Sequence, residues 1–265
     1  MYGKINTLMK TSIVSPKAQI GYNVEIGEFC IIEDDVKIGN NVKIKNKVLL
    51  RKGTTIKDNV KIYDGAIIGE DPQHLKDSGE NSTVEIGENT IIREYVTIHK
   101  GTTFDKKKTT IGLNVLLMAY SHVAHDCIVK DGVVMANCAT LGGHVEVGEY
   151  AFVGGLSAAH QHTKIGAYAM VGGLSGVSLD IPPFVKAAGP HAKLFGINTI
   201  GLERRGFSKE DIEIIRHVYK IIFRSQKLKK DAIEEVLSLY KDNKYALMFV
   251  DFIKSSKRGV AREER

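Results

Sequence analysis

The chain has 265 residues, of which 43% are hydrophobic and 26% charged, and its formal net charge is +6. This length suits one large or two modest domains. Residues 1–4 do not begin a signal peptide, and no run of about eighteen apolar residues occurs, so we expect a cytoplasmic protein without stable membrane insertion. The three cysteines form no disulfide pattern, and Cys30 and Cys127 fit as small core residues.

An aliphatic residue recurs at every sixth position through most of the chain. This ladder runs from Ile20 to Ile68, resumes at Ile86 and again at Ile111, and continues to Val177. A period of six fits neither an amphipathic helix nor an alternating strand. It is typical of a mainly β fold, a three-sided parallel β-helix with about eighteen residues in each coil. We predict about nine such coils between residues 12 and 182.

The end of the chain has a different pattern. Pro182-Pro183 is predicted to end the ladder, because consecutive prolines cannot continue strand pairing. Ser208 is a candidate helix N-cap, and helices are predicted over 208–225, about 230–240 and 244–256. We therefore assign residues 1–190 to the β-helix, with protruding loops at about 70–83 and 101–109. Residues 191–265 form a connector and a small α-helical domain.

The charge is unevenly distributed. From residue 201 onward there are 16 Lys and Arg residues against 11 Asp and Glu residues, which gives +5 of the total +6. Such a surface attracts acidic or phosphorylated partners. The basic region has no interleaved aromatic motif, which argues against nucleic acid as a partner.

Six of the nine histidines fall between residues 99 and 162. The coil length sorts them and their neighbours into three columns: His125, Gly143 and Gln161; Asp126, His144 and His162; and His99 with His160. We therefore expect imidazoles from separate coils to meet near one corner of the β-helix.

Two chemistries suit such a cluster. A histidine beside a carboxylate and a glycine amide can supply a general base and an oxyanion donor. Three histidines can instead bind zinc, as in carbonic anhydrases built on this kind of solenoid. In either case the outer faces of a prism provide no deep pocket. We therefore predict a homo-oligomer, most simply a cyclic trimer with sites between subunits.

Several ordered segments resemble one enzyme family over nearly the full length. They are Pro72-Gln73-His74-Leu75-Lys76, Ile98-His99-Lys100-Gly101-Thr102, Ser121-His122-Val123-Ala124-His125-Asp126-Cys127, Leu141-Gly142-Gly143-His144-Val145, His160-Gln161, Asn198, and Gly201-Leu202-Glu203-Arg204-Arg205-Gly206-Phe207. Together with the repeat, they are similar to the acyl-carrier-protein-dependent UDP-N-acetylglucosamine O-acyltransferases.

This resemblance implies a left-handed β-helix, a homotrimer and the first step of lipid A synthesis. In that step a 3-hydroxyacyl group passes from the phosphopantetheine thioester of acyl carrier protein to the 3-hydroxyl of the glucosamine ring of UDP-N-acetylglucosamine. The carrier-bound thioester is a co-substrate, and no other cofactor or metal is implied.

The resemblance also implies residue roles. His125 is the general base, Asp126 orients it, and the Gly143 amide stabilises the oxyanion. Other positions match substrate contacts: Gln73, His74, Lys76, His99, His122, His144, His160 and Gln161. The positions of Asn198, Arg204 and Arg205 match contacts to the nucleotide, phosphates and pantetheine. Gly173 matches the position that limits acyl length.

The sequence departs from the family pattern at three positions. His74 stands where aspartate is common, Ile200 where an acidic residue is expected near the nucleoside, and His162 where an aromatic residue is usual. A 3-amino analogue of the sugar would use the same base, so both acceptors stay open. The related N-acyltransferase is disfavoured because it has an additional N-terminal domain, and a non-catalytic solenoid leaves the clustered histidines unexplained.

Overall fold

The computed structural model describes residues 11–77 and 80–264. The predicted lack of a signal peptide at residues 1–4 falls outside the described residues, as do positions 78–79 of the first predicted loop. Within the described residues, we find no helix that combines the length and the apolar character needed to cross a membrane.

The described residues form twenty-seven short strands in three sheets, which we call faces 1, 2 and 3 in the order in which the chain visits them. Face 1 contains Ile13–Val14, Ile31–Ile32, Leu49–Leu50, Ile67–Glu70, Thr97–His99, His122–Val123, Thr140–Leu141, Ala158–Ala159 and Gly176–Val177. Face 2 contains Gln19–Ile20, Lys37–Ile38, Thr54–Ile56, Thr83–Ile86, Lys108–Ile111, Ile128–Val129, Glu146–Val147 and Lys164–Ile165. Face 3 contains Glu25–Ile26, Lys43–Ile44, Lys61–Ile62, Ile91–Ile92, Leu116–Leu117, Val134–Met135, Phe152–Val153, Met170–Val171, Val185–Ala188 and Lys193–Ile197.

The six-residue ladder forms the core. Its aliphatic side chains are buried from Ile26 to Val177, and Ile20 in the first coils is partly buried. From Ile13 to Ala188, neighbouring strands within each face pair in parallel, with ladder residues opposite one another, as in Val123↔Leu141. Cys30 and Cys127 are buried and point into this core, as predicted. The structure confirms a mainly β fold, a left-handed parallel β-helix followed by a helical region.

The predicted end of strand pairing at Pro182-Pro183 is wrong. Val185–Ala188 continues face 3 in parallel, and Lys193–Ile197 pairs with it in antiparallel fashion. The two prolines lie in the turn before Val185, so the ladder does not need the N–H groups that they lack. This strand hairpin spans residue 190, the predicted domain boundary.

Four helices follow: α1 (Thr199–Arg204), α2 (Lys209–Arg224), α3 (Lys229–Tyr240) and α4 (Lys244–Ser255). The last three confirm the predicted helices, and Ser208 caps α2 by accepting a hydrogen bond from the Asp211 amide at 3.0 Å. The short helix α1 was not predicted. Phe184 of the last coil packs against Tyr245 and Phe249 of α4, so the helical region covers this end of the core.

Candidate active site

Both interruptions of the repeat leave the β-helix at the corner between faces 1 and 2. Loop 1 (residues 71–82) joins Ile67–Glu70 to Thr83–Ile86, and loop 2 (residues 100–107) joins Thr97–His99 to Lys108–Ile111. The next coil turns the same corner at residues 124–127, where His125 lies. The two loops therefore border the predicted histidine cluster.

The predicted columns at this corner are confirmed. The His144 amide donates to the His125 carbonyl, and the His162 amide donates to the Gly143 carbonyl, each at 2.9 Å. Together with strand registers such as Val123↔Leu141, these bonds place residues eighteen positions apart on adjacent coils. The tight turns that contain His125 and Gly143 are therefore fixed by the coils of the β-helix.

His125 and Asp126 form a buried pair. The His125 Nδ1 atom lies 3.0 Å from Asp126 Oδ2, and the exposed fraction of Asp126 is 0%. Burial by itself raises the pKa of Asp126, but hydrogen bonds from His125 and Thr102 outweigh it and hold this pKa below its ordinary value. Because an ionised carboxylate only accepts hydrogen bonds, Nδ1 carries a proton, and in the neutral imidazole the free lone pair is therefore on Nε2.

Gly143 lies directly against the imidazole of His125. A Cβ atom at position 143 would be 2.4 Å from His125 Cε1 and 2.7 Å from Nε2. The ring can therefore occupy this position only beside a glycine. Among the described residues, no hydrogen-bond acceptor pairs with the Gly143 N–H group.

Three further imidazoles extend from His125 along the corner. His74 on loop 1 and His144 on the next coil contact its ring edge-on, with centroid distances of 5.6 and 4.9 Å. His162 stacks on His144 at 4.2 Å. Asp105 on loop 2 accepts a 2.6 Å hydrogen bond from His144 Nδ1, so loop 2 also fixes this part of the cluster.

His99 and His122 form a separate pair on face 1, with ring centroids 5.0 Å apart. Burial lowers the pKa of both rings. For His122 the pKa falls to about 4, because burial is reinforced by repulsion from His99 and His125. Both rings are thus neutral near pH 7, and His122 Nδ1 lies 2.7 Å from the Thr97 hydroxyl.

The remaining predicted residues of this corner are more exposed. Gln73 and Lys76 lie on the solvent side of loop 1. His160 and Gln161 lie on the coil beyond Gly143, where His160 Nδ1 is 3.1 Å from the Gln161 carbonyl oxygen. Apart from the His99–His122 pair on face 1, the predicted residues from 73 to 161 thus lie at this corner, with exposed polar groups around the buried His125–Asp126 pair.

A second group of predicted residues lies elsewhere. Asn198, Arg204 and Arg205 line a cavity of about 580 Å³ on face 3, together with Val134, Tyr150, Ala151, Phe152, Tyr168, Met170, Lys186, Thr199, Ile200 and Gly201. Arg205 stacks over the Tyr150 ring at 4.4 Å. The amide group of Asn198 donates to the Tyr168 carbonyl at 3.0 Å, and its oxygen caps α1.

The predicted residues at the histidine corner and those at the cavity of face 3 lie on opposite sides of one chain. In a three-sided prism, face 3 is opposite the corner between faces 1 and 2. Gly173 lies at the exposed corner between faces 3 and 1, where a Cβ atom would be 3.3 Å from the Gly155 carbonyl oxygen, so a side chain there would need a small shift of the backbone. One chain therefore cannot bring His125 and Arg204 to the same small ligand.

One cluster in the described part of the chain could hold a metal ion. Its members are His125, Asp126 and His144, whose ligand atoms all lie within 4.8 Å of one another. The set contains two imidazoles rather than the three of the zinc hypothesis. In addition, His125 Nδ1 and the Asp126 carboxylate are already bonded to each other, and His144 Nδ1 is bonded to Asp105.

Sequence reasoning missed the residues of loop 2 that reach this corner. Thr102 donates to Asp126, Asp105 bonds to His144, and Phe104 contacts the His74 ring at 4.9 Å. The break in the six-residue period predicted the loop itself. It contained no information about which loop side chains fold back onto the cluster.

The chain is similar to known proteins in both its β-helix and its helical region. Residues 180–261 match the model for domain 2 of UDP N-acetylglucosamine O-acyltransferases, and residues 17–52 and 108–143 match the bacterial transferase hexapeptide model. The chain is 48% identical over 258 residues to the acyl-[acyl-carrier-protein]–UDP-N-acetylglucosamine O-acyltransferase of Thermodesulfovibrio yellowstonii, covering 97% of this chain and 100% of the relative. It is 57% identical over 203 residues to the enzyme of that name from Aquifex aeolicus, covering 77% and 78% of the two chains.

A solved structure shows the same fold along the whole chain. LpxA from Acinetobacter baumannii matches with a TM-score of 0.93 and 40% sequence identity, covering 96% of this chain and 99% of the other. The similarity extends over nearly the full length of the chain, so it includes both the β-helix and the helical region. The chain therefore belongs to the UDP-N-acetylglucosamine O-acyltransferase family.

Proposed function

We propose that this chain transfers a 3-hydroxyacyl group from acyl carrier protein to the 3-hydroxyl of the sugar in UDP-N-acetylglucosamine, with His125 as general base. Family membership supports the reaction. The observation that carries the role of His125 is its 3.0 Å bond to the buried Asp126, which leaves Nε2 available to accept a proton.

The reaction requires two proton transfers at one atom. His125 Nε2 takes the proton from the 3-hydroxyl as the sugar oxygen attacks the thioester carbonyl carbon. The resulting tetrahedral intermediate collapses, the carbon–sulfur bond breaks, and Nε2 returns the proton to the departing phosphopantetheine thiolate. Asp126 stabilises the imidazolium that exists between the two steps, as expected of a buried carboxylate beside a base.

The Gly143 N–H group is the proposed donor to the oxyanion. Its support is that this N–H has no acceptor in the described part of the chain and belongs to the residue in contact with the His125 ring. A donor fixed by the backbone beside the base needs no reorganisation when charge develops on the carbonyl oxygen.

A homotrimer would unite the two groups of predicted residues. The opposite positions of His125 and Arg204 in one chain support a site between copies, in which one copy supplies the corner and its neighbour supplies face 3. The corner between faces 3 and 1 also exposes apolar side chains suited to such contacts: Phe29, Tyr95, Tyr120, Leu156 and Leu174. A cyclic trimer is the simplest closed arrangement.

Charge supports the carrier protein as partner. Arg204 and Arg205 lie beside the cavity of face 3, and the chain from residue 201 onward has a net charge of +5. Acyl carrier proteins are strongly acidic, and opposite charges speed the encounter of two proteins. The zinc alternative has less support, because the candidate ligands at the corner already bond to one another and to loop 2.

Mass spectrometry of the products tests this proposal. The enzyme is mixed with UDP-N-acetylglucosamine, its 3-amino analogue and a panel of 3-hydroxyacyl carrier proteins. We expect an ester of the first acceptor. An amide formed only with the amino analogue would change the acceptor, and no acyl product from either acceptor would overturn the proposed reaction.

A further inference from the structure

The Asp126 carboxylate receives most of its hydrogen bonds from a single residue of loop 2. The Thr102 amide lies 3.1 and 3.0 Å from its two oxygens, and the Thr102 hydroxyl donates to Oδ2 at 2.7 Å. Thr102 is fully buried. The oxygen that accepts the hydroxyl is also the one that accepts from His125 Nδ1.

The residue before Thr102 fits only as glycine. A Cβ atom at Gly101 would lie 2.0 Å from the Lys108 nitrogen, 2.4 Å from the Lys107 carbonyl carbon and 2.8 Å from Asp126 Oδ1. The two ends of loop 2 therefore come together against the carboxylate. This close approach places both the amide and the hydroxyl of Thr102 on Asp126.

We propose that Thr102 is a positioning residue for acyl transfer, which keeps the Asp126 carboxylate ionised and directed at His125 Nδ1. The proposal rests on the role of His125 as base. Thr102 does not touch the reacting atoms. It acts through Asp126, and loop 2 is thereby a working part of the site rather than a tolerated insertion.

The other charged or titratable groups around Asp126 are few. His125 shares its corner, His144 Nδ1 on the next coil is 3.9 Å from Oδ2, and Lys106 Nζ is 3.4 Å from the Asp126 carbonyl oxygen. A substitution at Thr102 removes none of these groups. Loss of its hydroxyl removes the shortest hydrogen bond to the carboxylate, so the pKa of Asp126 rises and the His125–Asp126 pair takes up a proton more readily.

The test is Thr102→Val, which keeps the backbone amide and the side-chain shape. We expect kcat to fall about 10- to 100-fold with little change in KM, the loss expected for a hydrogen bond to a charged group. The acid limb of the kcat/KM profile should move to higher pH. Thr102→Ser should restore both the kcat value and the position of the acid limb. The matched control is Thr103→Val, whose hydroxyl bonds to Asp77 at 3.2 Å, and it should leave the acid limb in place.

A double-variant cycle separates positioning from mere folding. In an Asp126→Asn background, Thr102→Val should lower kcat little further, because the carboxylate that accepts its hydrogen bond is absent. An equal loss in both backgrounds, or an unchanged acid limb in Thr102→Val, would overturn the proposal. Should the valine variant not fold, Thr102→Cys, with its weaker donor, is compared with Thr102→Ser in the same way. Full turnover of His125→Ala would instead refute the base itself.

Discussion

Two corners of the β-helix share one backbone conformation but differ in what their side chains do. At the corner between faces 2 and 3, asparagines such as Asn23 and Asn41 adopt positive φ and bond to each other at 2.9 Å. At the corner between faces 1 and 2, the same conformation is found at Asp126 (φ 59°), His144 and His162. Asparagine and aspartate tolerate this region better than most residues.

The difference lies in where the polar groups find partners. Asp131 follows His125 by six residues and lies at the equivalent point of the corner between faces 2 and 3. It accepts a hydrogen bond from the Leu113 amide at 2.8 Å. At the histidine corner, Asp126 bonds to the adjacent His125, and both Asp126 and His144 bond in addition to side chains of loop 2. This leaves His125 Nε2 and the Gly143 N–H without intrachain partners among the described residues. At the corner between faces 2 and 3, the polar side chains find their partners within the repeat. At the histidine corner, loop 2 supplies additional partners, and two polar groups remain available to a substrate.

The largest expected effect follows from removing the proposed base. His125→Ala should leave the protein folded and lower turnover at least about a hundredfold, since general bases contribute about 10²–10⁴ in rate. Steady-state kinetics measure the loss. His217→Ala on α2, whose ring bonds to Tyr240, is the control. Near-normal turnover of the first variant would remove His125 from the mechanism.

Gly143→Ala should lower turnover about a hundredfold, because its Cβ must displace the His125 ring and a shift of about 1 Å can cost that much. The matched control is Gly155→Ala, twelve residues later, where a Cβ would be 3.2 Å from the nearest atom, the Asn137 oxygen. It should retain most activity. Equal losses in the two variants would show that the contact with His125 is not the cause.

The low pKa of His122 predicts a pH-dependent stability. The unfolded chain binds this proton near pH 6.5, whereas the folded chain binds it only near pH 4. Between these values the unfolded state holds more protons, so the contribution of His122 is present above pH 6.5 and is lost as the pH falls toward 4. The loss is up to about 3 kcal/mol. Denaturant titrations of wild type and His122→Asn should diverge over this range, and parallel curves would contradict the assignment.

The smallest effect is expected at the structural corner. Asp131→Ala should lower the free energy of unfolding by about 1 kcal/mol through loss of its bond to the Leu113 amide, with turnover unchanged. Chemical denaturation and kinetics on the same sample measure both quantities. A tenfold loss of turnover would mean that the two corners do not divide structure from catalysis as described.

The coils could be predicted because they repeat one physical requirement. Every sixth residue must be apolar to fill the prism, so the ladder from Ile20 to Val177 determined the faces, and the coil length placed His125 beside Gly143. The helices α2 to α4 followed from caps and helical spacing. Family resemblance named the same residues, and the hand of the β-helix came from it alone.

The features that could not be predicted lie outside the period. The contacts of Thr102 and Asp105 depend on how loop 2 folds back, which a six-residue pattern does not specify. The strand after Pro182-Pro183 was missed because the pattern gives no information on whether a proline stands in a turn or in a strand. The separation of Arg204 from His125 depends on how the residues after Val177 fold onto face 3, and the six-residue pattern ends before them.

The most direct test of the account uses mixed assemblies of two inactive variants, because the central claim is that one copy's histidine corner works with face 3 of another. One variant is His125→Ala, and the second combines Arg204→Met with Arg205→Met. Assemblies that contain both are isolated through two different tags and assayed beside each parent. In a mixed cyclic trimer, about one site in three then has an intact corner facing an intact face 3, so we expect about a third of wild-type activity. Mixed assemblies as inactive as their parents would contradict the claim, since that result requires each site to lie within a single chain.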